Sequence, residues 1–155
     1  MSENPSELTF EQIEIGHTKE FQIKVTESLV NDFAKLSGDF NPIHINEDFA
    51  KSKKFKGKIV HGMLLASFLS RMVGMYLPGK HALYLSQSLE FHNPCFINDE
   101  ITVSSIVNEK SESTKIIRID SKILNNKNEV LLNGTGRIIV NNDWKFWDRN
   151  RRIKY

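Results

Sequence analysis

One cysteine in 155 residues excludes an intrachain disulfide framework, and without a Cys pair the five histidines lack the usual partners of a structural zinc site. Cys95 lies between Pro94 and Phe96, the surroundings of a small buried hydrophobe rather than a reactive thiol. A lone thiol fits a reducing compartment, and the opening MSENPSELTFEQ has no basic region followed by an apolar run; a cytoplasmic location without a secretory signal is expected. Long hydrophobic runs are missing as well. The best candidate, Ile59 to Leu77, is interrupted by His61, Ser67, Ser70 and Arg71, so it reads as a buried helix and not as a membrane span. Nor is there an excess of charge of one sign. The formal charge is +2, and the last fifteen residues hold five basic side chains (Lys145, Arg149, Arg151, Arg152, Lys154) against Asp143 and Asp148. The rest is close to neutral, which gives no reason to expect a nucleic-acid partner.

What remains is an ordinary globular composition, 39% hydrophobic and 26% charged, at a length that suits one domain. The body is assigned to residues 1–140, and the basic stretch 141–155, which contains both tryptophans, is set apart as a tail. Phe21, Ile23 and Val25 alternate with polar residues and predict a strand. Thr26 and Glu27 then open a helix whose apolar positions, Leu29, Val30, Phe33 and Leu36, precede Gly38. From Gly62 to Tyr76 there is no proline, and Met63 to Leu69 is apolar almost all round apart from Ser67; this predicts a helix enclosed on most sides and ended by Pro78 and Gly79. The period then changes to two. One long strand is expected over Leu83 to Phe91, others over Ile101 to Ser105 and Ile117 to Ile123, and the last over Glu129 to Val140 after a hairpin turn at Asn125 to Asn128. The expected class is α+β, a curved antiparallel sheet wrapped around one long central helix.

The stretch SGDFNPIH, Ser37 to His44, places Asp39 and His44 five residues apart. On a helix they would point about 140° apart, but Pro42 disfavours helical dihedrals at Asn41 and Gly38 permits a sharp exit from the preceding helix. The segment is therefore expected to be a loop whose Asp39 and His44 can face one space. An Asp beside a His handles protons: the carboxylate orients the imidazole and favours its charged form. On this octapeptide alone a second reading stays open, in which Asp39 caps the next element and His44 is a partly buried loop histidine.

The chain order, helix, SGDFNPIH, basic connector, IVHGMLLASFLS, then QSLEFHNPCFINDEITV, resembles the MaoC-like (R)-specific enoyl-CoA hydratases of the hotdog fold. Asp39, Asn41, Pro42 and His44 match one motif; His61, Gly62 and Met63 match the helix opening. The resemblance runs from about Phe10 to Val140 and leaves out the tail. It implies reversible hydration of a trans-2-enoyl-CoA to the (R)-3-hydroxyacyl-CoA with no metal and no cofactor other than the coenzyme A of the substrate. Asp39 and His44 would hold a water, and the Gly62 N–H, at a helix N-terminus, would bind the thioester oxygen. Asn41 is expected to brace the loop through its amide, with turn formation alone as the alternative. Ser70 aligns with a serine near the dyad, with simple helix packing as the equal alternative. Gln87 is expected to tie to the buried helix rather than to substrate, and His61 to help the turn before the helix, with an approach to the ligand as the alternative. Lys53, Lys54, Lys56 and Lys58 could meet coenzyme A phosphates, although a solvated connector explains them too. His17, His81 and His92 are expected at the surface. A 3-hydroxyacyl-acyl-carrier-protein dehydratase, a hotdog thioesterase and an acyl-thioester-binding module are the alternatives. The resemblance also implies a homodimer or a dimer of dimers.

Overall fold

A computed structural model describes residues 4–142. The tail expectation from 143 onward lies outside the described residues. A short helical turn, Phe10–Gln12, leads into strand β1, Thr18–Lys24. Helix α1, Glu27–Ser37, starts where its sequence says it should: the Thr26 hydroxyl accepts from the Leu29 N–H at 3.3 Å, satisfying one of the donors a helix start leaves free. It ends at Gly38, whose φ of 76° is the left-handed cap that glycine takes without a Cβ clash. Two short helices follow, α2 at Pro42–Ile45 and α3 at Glu47–Ser52. The expectation that all of SGDFNPIH is a loop is thus corrected. Pro42 breaks a helix from within but suits its first position, where its missing N–H costs nothing, and His44 lies inside the turn so formed.

Helix α4 spans Gly62–Arg71 and continues as one wider turn, Met72–Tyr76, before Pro78. Strands β2 (Ala82–Gln87), β3 (Glu90–Phe91), β4 (Glu100–Ser111), β5 (Ile116–Asn125) and β6 (Val130–Val140) complete an antiparallel sheet of order β1-β4-β5-β6-β2, with β3 also on β6. The single strand expected over Leu83 to Phe91 is two. Ser88, between them, comes so close to β6 that a Cβ on Gly134 would lie 1.9 Å from its carbonyl oxygen.

The register explains the core. Ile101, Val103 and Val107 of β4, Ile117, Ile119 and Ile123 of β5 and Leu132 and Ile138 of β6 share one face and are all buried. Against them pack Leu64, Leu65, Phe68, Leu69, Met72 and Val73 of α4 and its continuation. Each such side chain contributes roughly 1.5–3 kcal/mol of transfer free energy. One polar pair interrupts this face: Ser105 and Ser121, opposite each other, are buried and satisfied by a mutual Oγ–Oγ hydrogen bond of 2.6 Å. Enclosure of α4 is one-sided, contrary to expectation, because the sheet covers one flank only. Met63, Ser67, Ser70 and Arg71 face outward in the single chain. Among the described residues no helix is long and apolar enough to cross a membrane.

Candidate active site at the start of the central helix

Asp39 and His44 are placed by a chain of short-range side-chain bonds beginning at the Gly38 cap. The Ser37 hydroxyl donates to the Phe33 carbonyl at 2.7 Å and accepts from the Asp39 N–H at 3.2 Å. Asp39 Oδ1 accepts from the Asn41 N–H and Asn41 Oδ1 from the Ile43 N–H, both at 3.1 Å. Such bonds are what Ser, Asp and Asn offer a backbone that leaves one helix and enters another. Asn41 caps α2 through its side-chain oxygen, a contact that turn formation alone also accounts for.

His44 is tied from the other side. Its Nδ1 lies 2.8 Å from the Ile59 carbonyl oxygen, which can only accept, so Nδ1 carries the proton and Nε2 of the neutral ring is the free base. Ile59 is held in turn by the Ile43 carbonyl, which accepts its N–H at 3.2 Å, and the next residue, Val60, donates to the Cys95 carbonyl at 2.8 Å. Half-burial of the imidazole lowers its pKa from the ordinary 6.5; the Ile59 bond opposes this, neighbouring His61 adds to it, and the Asp39 charge opposes it weakly. Asp39 is solvent-exposed, so its field is screened. His44 is thus neutral at neutral pH.

His61 is almost fully buried, at 2% exposure. Its ring stacks on His44 with centroids 3.9 Å apart and planes 29° apart, and Phe33 backs it at 5.1 Å. Nε2 donates to the Asp39 backbone carbonyl at 3.0 Å, which leaves Nδ1 as a buried acceptor without a partner. The expectation that His61 serves the turn before α4 needs correcting: it occupies the N-cap position, but its side chain makes no capping bond. Ligand-type atoms of Asp39, His44 and His61 lie within 4.8 Å of one another.

Gly62 is the first residue of α4, and no backbone carbonyl among the described residues accepts its N–H. A Cβ there would lie 2.7 Å from Cε1 of Phe91, whose ring is 52% exposed. Phe91 was legible only as one more apolar position on a strand, because its approach to Gly62 depends on how β3 crosses the helix start.

Two other candidates make no hydrogen bond to Asp39, His44 or His61 among the described residues. Ser70 lies exposed on α4, and no hydrogen bond joins it to Asp39 or His44 among the described residues. Gln87 is spent within the sheet: Tyr84 donates its hydroxyl to Oε1 at 2.5 Å, Nε2 donates to the Ser88 carbonyl at 2.7 Å, and the amide packs on Gly134 and Gly136. The anticipated tie from Gln87 to the helix is replaced by this bond to its own strand. Of the connector lysines, Lys58 pairs with Glu27, Lys56 sits 4.0 Å over Phe96 and Lys53 5.3 Å over Phe49. Cys95 is buried and its thiol is pushed up to about 12, chiefly by burial, which makes it inert.

Comparison with known proteins bears on this geometry. Residues 10–128 match the MaoC like domain. The chain belongs to the MaoC-like domain family. The (R)-specific enoyl-CoA hydratase of Aeromonas caviae is 39% identical over 116 residues, covering 75% of this chain and 87% of that protein. A mitochondrial 3-hydroxyacyl-[acyl-carrier-protein] dehydratase of Arabidopsis thaliana is 34% identical over 116 residues, covering 73% and 69%. The solved (R)-hydratase from A. caviae involved in PHA biosynthesis superposes with a TM-score of 0.82 at 35% identity, over 84% of this chain and 99% of that one. The fold of this MaoC-like chain is therefore the hotdog, with its sheet left open at the β1 and β2 edges.

Proposed function

We propose that the chain is a hydro-lyase that adds water reversibly across the C2–C3 double bond of a trans-2-enoyl-CoA to give the (R)-3-hydroxyacyl-CoA. The observation that carries this reading is the approach of the Asp39 carboxylate and a His44 ring nitrogen to within 4.8 Å without a direct hydrogen bond, beside the unused N–H of Gly62. A separation of that order suits one water held between the Asp39 carboxylate and the His44 ring. Water supplies hydroxide to C3, the pair takes up its proton, and a proton is delivered to C2. Charge gathers meanwhile on the thioester oxygen, where the Gly62 N–H and the helix dipole stabilise it; a comparable donor is worth about 3 kcal/mol in other enzymes. The relatives named as (R)-specific enoyl-CoA hydratases support this direction. The acyl-carrier-protein dehydratase relative supports a second reading, in which the same pair removes water from a carrier-bound 3-hydroxyacyl group.

The test mixes purified protein with crotonyl-CoA and follows enone absorbance together with free thiol. Loss of enone with the thioester intact and an (R) product is expected; thiol release without hydration would assign a thioesterase. Asp39→Asn and His44→Ala should each lower the rate by about 10²-fold or more, and the double variant should be little worse than either, because the two act as a unit.

A further inference from the structure

We infer that His61 is a positioning residue that sets the spacing and orientation of Asp39 and His44; the assignment rests on the dyad reading above. One imidazole touches each part of the site. Its Nε2–H reaches back 22 residues to the Asp39 carbonyl, its face lies against the His44 ring, and its own backbone is the N-cap from which Gly62 begins α4. Among the described residues no other side chain from outside the Ser37–Asn41 segment hydrogen-bonds to Asp39. The remaining bonds on Asp39, from Ser37 and Asn41, lie within its own segment, whereas the His61 bond ties Asp39 to the start of α4.

The surroundings argue against a simple core filler. A packing residue at this position would be cheaper without nitrogen, because Nδ1 is buried with no partner, and native interiors rarely leave such an atom without a functional reason. A helix cap would use its side chain on α4, and this one does not. Both features follow if the ring is kept for two tasks that no other side chain combines. The edge donor holds Asp39, and the flat face, backed by Phe33, prevents His44 from tilting off its bond to Ile59. Phenylalanine would preserve the face and lose the donor; glutamine would preserve a donor of similar reach and lose the face.

The experiment measures crotonyl-CoA hydration by His61→Phe and His61→Gln, with melting curves to establish folding. For His61→Phe the expected result is a kcat lower by about 10²-fold, the size of effect a small misplacement of reacting groups produces, with KM nearly unchanged. His61→Gln should recover part of this, leaving a loss of about 10-fold. Combining either substitution with Asp39→Asn should add little, since His61 acts through the dyad. A wild-type kcat in a folded His61→Phe overturns the inference, as does a full additive loss in the combination. If His61→Phe does not fold, His61→Gln decides in the same way, and an unchanged kcat again counts against the role. Failure of the underlying reading is distinguishable, because Asp39→Asn and His44→Ala alone would then keep normal rates.

Discussion

His44 and Gly62 each allow a direct measurement at the scale of the residue. Burial lowers the pKa of His44 below the ordinary 6.5, so its free Nε2 keeps accepting protons at a pH where an exposed histidine is already charged. The acid limb of kcat/KM against pH should therefore fall below 6.5, and a limb at or above that value would show that another group controls the rate. The same shift has a stability sign. The unfolded chain takes up the proton first, so the contribution of His44 is complete above 6.5 and declines as pH falls from there toward the lower folded value. Gly62→Ala keeps the N–H while placing a methyl 2.7 Å from the Phe91 ring, which is half exposed and free to swing aside. Activity should drop by about 10²-fold or more, and it should stay low in a Gly62→Ala, Phe91→Leu double variant, where the ring clash is gone. Recovery in the double variant would mean that Phe91 and not the thioester needed the space. The proximity of Asp39 and His44 was legible because both lie in one octapeptide. The contacts of His61 were not, since its partner carbonyl is 22 residues away and its stacking partner 17 residues away.

Among the elements, α1 was the most legible, because Thr26 and Gly38 mark its two ends through their own side chain and backbone. The hairpin between β5 and β6 was equally clear: Asn125 Oδ1 accepts from the N–H groups of Lys127 and Glu129, and Asn128 takes a φ of 61°. The break between β2 and β3 was hidden, since the alternation from Leu83 to Phe91 continues through it. What divides them is the approach of Ser88 to Gly134, a contact 46 residues apart in sequence. Gly134→Ala should accordingly destabilise by at least about 1–3 kcal/mol, the usual cost of overpacking, because backbone cannot move aside as a side chain can. A denaturant midpoint unchanged by this substitution would show that β3 is not held against β6 as described.

For the molecule as a whole, the apolar residues left uncovered are concentrated where the site opens. Phe40, Ile45, Phe49, Met63 and Phe91 are all more than a third exposed, and they flank Asp39, His44 and Gly62 along the chain or in space. Among the described residues the edge strands β1 and β2 each pair with a strand on one side only. A second copy would cover apolar surface and satisfy an open strand edge. Sedimentation should therefore give about twice the 17.9 kDa of one chain, or four times for a pair of dimers, and a stable species at the single-chain mass would overturn the expected assembly.

The sequence by itself determined the class of the fold, the order of its long helices and strands and the short motifs that match the family. Periodicity, caps and turn chemistry act over a few residues and can be read without knowing what lies opposite. Only the tertiary structure decided which flank of α4 is covered, that Gln87 is consumed by Tyr84 and Ser88, and that His61 contacts both Asp39 and His44. Each of these depends on contacts between segments far apart in the chain, where packing sets the partner and local propensity has no influence on the choice.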